Sequence, residues 1–181
     1  MRISAIVLTS LFLASGVPAA ETPRPSPELT MQRPGAPPFQ LSQFRGKVVA
    51  LAFISTTCSH CQDVTRMLKV IQKDYSKRNV QVVACAFEDD VATNFPMYLR
   101  AFEPNFAAGY TTDSAVKKYL KWNTTSDGTL YVPYMIFIDA GGIIRGDFSG
   151  KDGFFGESDK NIRAQLDKMT KTAPKPAAKK K

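Results

Sequence analysis

The sequence predicts an α/β domain in which a central mixed β-sheet is flanked by helices. Two continuous apolar runs, Val48–Ile54 and Val80–Phe87, are typical of strands that are buried on both faces of a sheet. In the segment after Cys58, which lies between these runs, apolar residues recur at helical spacing and form one stripe. A strand, a helix and a second strand in this order indicate a right-handed parallel crossover.

Shorter patterns predict the elements of the second half of the chain. Gly141-Gly142 is typical of a tight turn, so we expect the flanking runs Met135–Asp139 and Ile143–Phe148 to form an antiparallel pair. Periodic apolar residues predict three further helices, with Asp113 as the N-cap of the second. These helices are Ala92–Phe102, Asp113–Leu120 and Glu157–Thr170.

Residues 1–20 have the organisation of a secretory signal peptide. Arg2 supplies the positive charge, Ile3–Gly16 is apolar, and Val17-Pro18-Ala19-Ala20 offers small residues for cleavage after Ala19 or Ala20. The apolar stretch is short for a membrane span, and no other segment is apolar enough to cross a membrane. We therefore expect an exported protein, periplasmic or otherwise extracytoplasmic, with an uncleaved N-terminal anchor as the alternative.

Composition predicts where the folded domain begins and ends. Residues 21–27 are rich in proline and are interpreted as a linker, and residues 28–170 as the domain. The domain should begin with a small hairpin, whose strands Glu28–Gln32 and Phe39–Leu41 flank a turn rich in proline and glycine. Residues 171–181 are predicted to be a basic, disordered tail, part of a net charge of +8. No aromatic residue interleaves with its lysines, so nucleic acid is not an expected partner.

Cys58 and Cys61 form a C-x-x-C motif where the first predicted helix begins. A thiol at a helix N-terminus meets unpaired backbone N–H groups and the positive end of the helix dipole, which both favour the thiolate. An imidazolium at His60 would add to this effect. The third cysteine, Cys85, lies in the middle of an apolar strand and is expected to be buried and inert. Outside the cytosol, such a C-x-x-C pair can exchange with the disulfides of other proteins.

Four segments together resemble the thioredoxin superfamily, and in particular its exported TlpA-type thiol:disulfide oxidoreductases. The C-x-x-C motif alone is a weak signal, but the four segments in this order are quite specific and cover about residues 28–170. They are Phe44-Arg45-Gly46-Lys47 before an apolar strand, Phe53 with Cys58-Ser59-His60-Cys61, Val132-Pro133 before a strand, and Ile138–Ile144 in the last hairpin. The resemblance implies a thioredoxin-like fold with an N-terminal β-hairpin and a helical insertion, Thr93–Trp122, before the cis-proline strand.

The resemblance also implies a role for each residue of the site. Cys58 would be the nucleophile that forms a mixed disulfide, Cys61 would resolve it, and His60 would tune the pair. The substrate-binding residues would be Thr57, Val132 and Pro133. The expected partners are protein dithiols and disulfides and a membrane or exported redox partner, and no cofactor or metal is expected.

Four residues depart from the thioredoxin pattern. Thr57 stands where thioredoxins commonly carry tryptophan, and Ala52 stands where they carry a buried acid that helps to deprotonate the second cysteine. Ser59-His60 replaces the usual Gly-Pro. A histidine before the second cysteine and Val132 before the proline are similar to the DsbA-type thiol oxidases. Both directions, reduction and oxidation of the substrate, therefore stay open.

Two other classes of function use the same residues. A peroxidase of the peroxiredoxin type needs Pro-x-x-x-Thr/Ser-x-x-Cys; Ser55 fits this pattern, but Leu51 occupies the proline position. A metal-binding module could use Cys58, His60 and Cys61, which are ligand types suited to Cu(I) or zinc. The sequence contains one histidine, so a second imidazole ligand is not available.

Overall fold

The computed structural model describes residues 22–122 and 129–172 of the chain. The predicted signal peptide, the predicted polar loop at 124–128 and residues 173–181 of the predicted tail lie outside the described residues. The predictions made for these three segments therefore stay predictions.

Within the described residues, eight strands form one mixed sheet in the spatial order β1-β8-β7-β4-β5-β6-β2-β3. The pairs β4–β5 and β5–β6 are parallel, and the other neighbouring pairs are antiparallel. In chain order the strands are β1 (Arg24–Pro25), β2 (Thr30–Arg33), β3 (Ala36–Gln40), β4 (Val48–Ile54), β5 (Val80–Ala86), β6 (Ala107–Tyr110), β7 (Tyr134–Ile138) and β8 (Ile143–Phe148). The predicted hairpin, parallel crossover and last antiparallel pair are confirmed.

Strand β4 lies in the middle of the sheet, with β5 parallel on one side and β7 antiparallel on the other. All seven of its residues are buried, as the continuous apolar run predicts. Alternate side chains enter two separate cores: Ala52 and Ile54 face one, and Leu51 and Phe53 face the other. Burial of each large apolar side chain contributes about 1.5–3 kcal/mol, so this strand anchors both layers.

Helices cover both faces of the sheet. They are α1 (Ser59–Tyr75), α2 (Val91–Phe102), α3 (Asp113–Leu120) and α4 (Ser158–Thr172). Buried residues of α1, α2 and α4 share the core that contains Ala52, whereas those of α3 share the core that contains Phe53 with the β2–β3 hairpin. None of the helices in the two described ranges is long and apolar enough to cross a membrane.

Helix α1 buries its predicted apolar stripe, in which Val64, Leu68 and Ile71 contact the sheet. A short 3-10 turn follows, and the chain then reverses at Asn79, which adopts the left-handed conformation with φ 56°. The Asn79 side chain donates to the carbonyl of Gly46 at 2.6 Å. This hydrogen bond connects the end of the crossover to the residues just before β4, so β5 begins opposite the start of β4.

The segment predicted as a linker contributes an edge strand instead. Arg24–Pro25 pairs with β8, and the Arg24 guanidinium contacts the Asp147 carboxylate at 3.2 Å. Both side chains are almost fully buried. The proline-rich composition predicted a linker because proline disfavours a central strand, but an edge strand of two residues tolerates it. The domain in the structure therefore starts earlier than residue 28, and α4 ends later than residue 170.

The predicted helical insertion also contains a strand. Strand β6 pairs with β5 and with β2, and its sequence, Ala-Ala-Gly-Tyr, has little intrinsic preference for a strand. A Cβ atom at Gly109 would lie 2.8 Å from the carbonyl oxygen of Gln32, so only glycine permits this close approach of β2. The N-cap of α3 is Thr112 rather than the predicted Asp113, because the Thr112 hydroxyl accepts from the Ala115 N–H.

Candidate active site

Cys58 caps the N-terminus of α1, just beyond the end of β4. Its backbone is extended, with φ −77° and ψ 119°, and its sulfur accepts a hydrogen bond from the Cys61 N–H at 3.4 Å. The side chain is partly exposed. The sulfur therefore meets both a backbone donor and the positive end of the helix dipole.

Cys61 lies one turn further into α1 and is fully buried. Burial is the main cause that raises the pKa of its thiol well above the ordinary value; the hydrogen bond with Cys58 and the charges of Cys58 and Glu88 raise it further. The two thiols of the motif thus differ sharply in environment. One faces solvent as a nucleophile can, and the other is held as a thiol behind it.

His60, Val132 and Pro133 line one cleft of about 420 Å³, which His60 borders two residues after Cys58. His60 is exposed on the first turn of α1, Pro133 is buried, and the Val132–Pro133 peptide bond is cis. Met67 of α1 and Phe155 of the loop after β8 give the cleft apolar walls. The structure therefore brings three of the predicted site residues together around one opening.

The loop that carries Pro133 is supported from the loop after β8. The Gly150 N–H donates to the Tyr131 carbonyl at 3.2 Å. A Cβ atom at Gly150 would lie 3.1 Å from the carbonyl group of Val132, so the absence of a side chain permits this packing. Behind the loop, the Tyr134 hydroxyl hydrogen-bonds the buried Asp147 carboxylate, which pairs with Arg24. Through Asp147 and Tyr134, Arg24 of the edge strand β1 thus connects to the strand that follows Pro133.

Thr57 does not line the cleft that contains Pro133. It is exposed and belongs to a second cleft of about 280 Å³ between the Cys58 turn and α2. Met97 and Phe102 of α2 form the apolar wall of this second cleft. The structure therefore separates Thr57 from the other two residues predicted to bind substrate.

Cys85 lies on the opposite face of the sheet from Cys61. Cys61 packs into the core that contains Ala52, and Cys85 packs into the core that contains Phe53. Cys85 is fully buried, and burial raises the pKa of its thiol well above the ordinary value. This placement agrees with the interpretation of Cys85 as an inert core residue.

Glu88 contacts the turn before Cys58, although the sequence offered two interpretations of it, a proton carrier near the site or a simply solvated acid, and it was not among the predicted site residues. Its Oε1 accepts from the Thr56 N–H at 3.1 Å and also from the Thr56 hydroxyl. The Gln62 side chain donates to the Thr56 carbonyl at 2.9 Å, which ties the same residue to α1. The only sequence signal was an acid at the end of the strand, and such acids are usually solvated.

The residues named for the two alternative classes of function have the following surroundings. In residues 22–122 and 129–172, no group of three or more His, Cys, Asp and Glu side chains is arranged to hold a metal ion. The hydroxyl of Ser55, the peroxidase-type position, lies 3.1 Å from the Thr57 hydroxyl as its hydrogen-bond partner.

Comparison with protein-family models matches residues 18–166 to the Redoxin family, and the chain therefore belongs to that family. The comparison with curated protein sequences found no significant match. Among solved structures, the chain is similar to a thiol:disulfide interchange protein of the thioredoxin family from Chlorobium tepidum TLS. The TM-score is 0.64 at 20% identity, over 82% of this chain and 99% of the other.

Two further structures show the same likeness. A thiol:disulfide interchange protein from a Bacteroides species matches with a TM-score of 0.64 at 16% identity, over 87% of this chain and 95% of the other. The thioredoxin domain of a thiol-disulfide oxidoreductase from Bacteroides vulgatus matches with a TM-score of 0.61 at 18% identity, over 77% and 96%. The fold is therefore thioredoxin-like, as the sequence predicted.

The different exposure of the three cysteines, with Cys58 partly exposed and the other two buried, predicts selective alkylation. With native, reduced protein at neutral pH, we expect iodoacetamide to modify Cys58 rapidly and to leave Cys61 and Cys85 unmodified. A raised pKa keeps a thiol protonated at neutral pH, and the thiolate fraction grows only as the pH approaches that raised value. Intact-mass measurement and peptide mapping would identify the site, with denatured protein as the control in which all three react. Equal labelling of Cys61 in the folded protein would contradict the assignment.

Proposed function

We propose that this chain is a thiol:disulfide oxidoreductase that acts on proteins through Cys58 and Cys61. The observation that carries the proposal is the division of the pair, with a partly exposed sulfur on a helix N-terminus and a buried thiol one turn behind it. Membership of the Redoxin family and the thioredoxin-like fold support oxidoreductase chemistry in general.

In the reductive direction, the Cys58 thiolate attacks one sulfur of a substrate disulfide. A Cys58–substrate disulfide forms, the substrate disulfide breaks, and the first substrate sulfur leaves as a thiolate that takes up a proton. Cys61 then loses its proton and attacks the Cys58 sulfur. The Cys58–Cys61 disulfide forms, the second substrate sulfur is released, and two electrons have passed from the protein to the substrate. The oxidative direction runs through the same steps in reverse.

The cleft with His60, Val132 and Pro133 is the proposed substrate site. An extended peptide lying there would place its cysteine next to Cys58, and the backbone of Val132 is available to pair with it. Met67 and Phe155 would contact the flanking apolar side chains of the substrate. Thr57, in the second cleft, would contact substrate residues on the side of α2.

Substitution of each cysteine tests the proposal. Cys58→Ser should abolish reduction of a protein disulfide such as that of insulin, because the attacking sulfur is lost. Cys61→Ser should accumulate a mixed disulfide with the substrate, visible on a non-reducing gel, because nothing resolves it. Cys85→Ser is the matched control and should keep the wild-type rate, since Cys85 lies on the other face of the sheet. Full activity in Cys58→Ser would refute the proposal.

His60 should tune the reduction potential of the pair. An imidazole at His60, when protonated, would stabilise the thiolate of the reduced form, so we expect His60→Pro to lower the reduction potential by tens of mV. His60→Pro also removes the backbone N–H of residue 60, whereas His60→Gln keeps this N–H and removes only the imidazole. His60→Gln should therefore lower the reduction potential as well if the imidazole is the cause. Equilibration with glutathione measures both variants, and an unchanged potential would show that His60 has no such role. A wild-type value near about −120 mV would indicate a thiol oxidase, and one near about −270 mV a reductase.

Export is part of the proposal, because residues 1–20 have the organisation of a secretory signal peptide. Expressed with residues 1–20 in a Gram-negative host, the protein should be recovered from the periplasm with Ala20 or Glu21 as its first residue. Edman sequencing or intact mass identifies that residue, and a variant lacking residues 2–20 should remain in the cytoplasm. Full-length protein in the membrane fraction would instead show an uncleaved anchor. For an exported protein, the redox partner would be a membrane protein or another exported protein.

A further inference from the structure

The proposed exchange cycle requires a proton acceptor for Cys61. Only a thiolate attacks a disulfide, yet Cys61 is buried and protonated at neutral pH. Ala52, on the strand that leads into the motif, is an alanine and cannot accept a proton. The acceptor must therefore come from another element that reaches the underside of the Cys58 turn.

Strand register brings Glu88 to that position. Strands β4 and β5 are parallel, with Ile54 opposite Ala86 at their carboxyl ends. Two residues beyond this last pair, the chains place Thr56 and Glu88 next to each other, and the Thr56 N–H and hydroxyl both donate to Glu88 Oε1. The carboxylate is thus held in one orientation by the residue that comes two before Cys58.

The other carboxylate oxygen of Glu88, Oε2, is in a different environment from Oε1. Oε2 of Glu88 is buried and has no hydrogen-bond partner among the described residues. A buried carboxylate oxygen without a donor is costly, so its presence next to a redox pair needs an explanation. An oxygen that takes up a proton during the reaction provides one.

Glu88 is also electrostatically coupled to Cys61. Its charge is one of the causes that raise the pKa of the Cys61 thiol, after burial and the contact with Cys58. Among the described residues, Cys58 and Tyr98 of α2 also interact with Cys61, while His60 precedes Cys61 in the chain and the exposed Asp89 and Asp90 follow Glu88. Burial raises the pKa of Tyr98 to about 12, so this phenol is itself protonated at neutral pH and is a poor acceptor.

We infer that Glu88 is the proton acceptor for Cys61 in the resolving step, an assignment that rests on the proposed function. Cys61 gives its proton to Glu88 Oε2, directly or through one water, and becomes a thiolate. The thiolate attacks the Cys58 sulfur, the Cys61–Cys58 bond forms, and the Cys58–substrate bond breaks. The substrate sulfur leaves with the electron pair and takes up a proton from solvent, and Glu88 later returns its proton to solvent.

Charge conservation is the physical advantage of this transfer. A thiolate at Cys61 beside an ionised Glu88 would put two negative charges into one buried site, which is costly. When the proton moves from Cys61 to Glu88, the site holds one negative charge before and after. A carboxylate anchored by Thr56 on one oxygen keeps the other oxygen positioned for that exchange.

A two-phase reaction with an aromatic disulfide, 5,5′-dithiobis(2-nitrobenzoate), separates the two cysteines. Attack by Cys58 releases one coloured thiolate at a rate proportional to reagent concentration. Resolution by Cys61 then releases the second coloured thiolate at a rate that does not depend on the reagent concentration. In Glu88→Gln at neutral pH we expect the first phase to be unchanged and the second to slow by at least about tenfold, within the range of general-base effects. The slowed phase should then accelerate with rising pH, since hydroxide replaces the lost acceptor.

The direction of the effect distinguishes this role from a merely electrostatic one. If Glu88 acted only through its charge, Glu88→Gln would ease ionisation of Cys61 and would speed the second phase. An unchanged or faster second phase therefore overturns the inference, and so does an equal slowing of both phases, which would indicate distortion of the turn. Asp89→Asn is the matched control for loss of a neighbouring acid and should leave both phases unchanged.

A second variant covers the case in which Glu88→Gln does not fold. Glu88→Asp keeps the acid and should retain the wild-type shape of the pH profile in the second phase, at a reduced rate. A hydroxide-like pH profile in Glu88→Asp would overturn the inference. Loss of the first phase in wild-type protein would instead refute Cys58 as the nucleophile, so failure of the proposed function is distinguishable from failure of this inference.

Discussion

The parallel pairing of β4 with β5 is the constraint on which the rest of the structure depends. It places the apolar β4 in the middle of the sheet, where its alternate side chains enter two cores. It also brings the carboxyl ends of both strands to one edge of the sheet. The Cys58 turn follows one of these ends and Glu88 follows the other, so the candidate site is assembled by the same hydrogen bonds that hold the core.

Helix α1 turns two cysteines of one short motif into chemically different groups. Because Cys58 is the N-cap, its partly exposed sulfur lies at the end of the helix and accepts a hydrogen bond from the Cys61 N–H. Because Cys61 lies on the first turn, on the side of the buried stripe, its sulfur points into the core. Residues three apart within a helix share a face, so the different exposure of the two thiols comes from the extended backbone of Cys58, which lies outside the helix, whereas Cys61 lies inside it.

The clefts on either side of Cys58 are built from distant parts of the chain. One wall comes from the Val132–Pro133 loop, which is supported by Gly150 and, through Tyr134 and Asp147, by Arg24 near the beginning of the described chain. The other cleft owes its apolar wall to α2, which belongs to the insertion between β5 and β7. Substrate contacts would thus depend on elements that are remote from the C-x-x-C motif in sequence.

Local patterns in the sequence by themselves determined the central strands, helix α1, the last hairpin and the redox motif. Continuous apolar runs, helical periodicity and turn glycines act over a few residues, and the structure has these elements where they were predicted. The tertiary structure alone decided that Arg24–Pro25 is an edge strand and that Ala107–Tyr110 pairs with β5, because a buried ion pair and a close approach at Gly109 outweigh weak strand preferences. It also decided that Thr57 and Pro133 line separate clefts and that Glu88 bonds Thr56. These placements depend on strand register and chain crossing, which bring together residues that no short stretch of sequence relates.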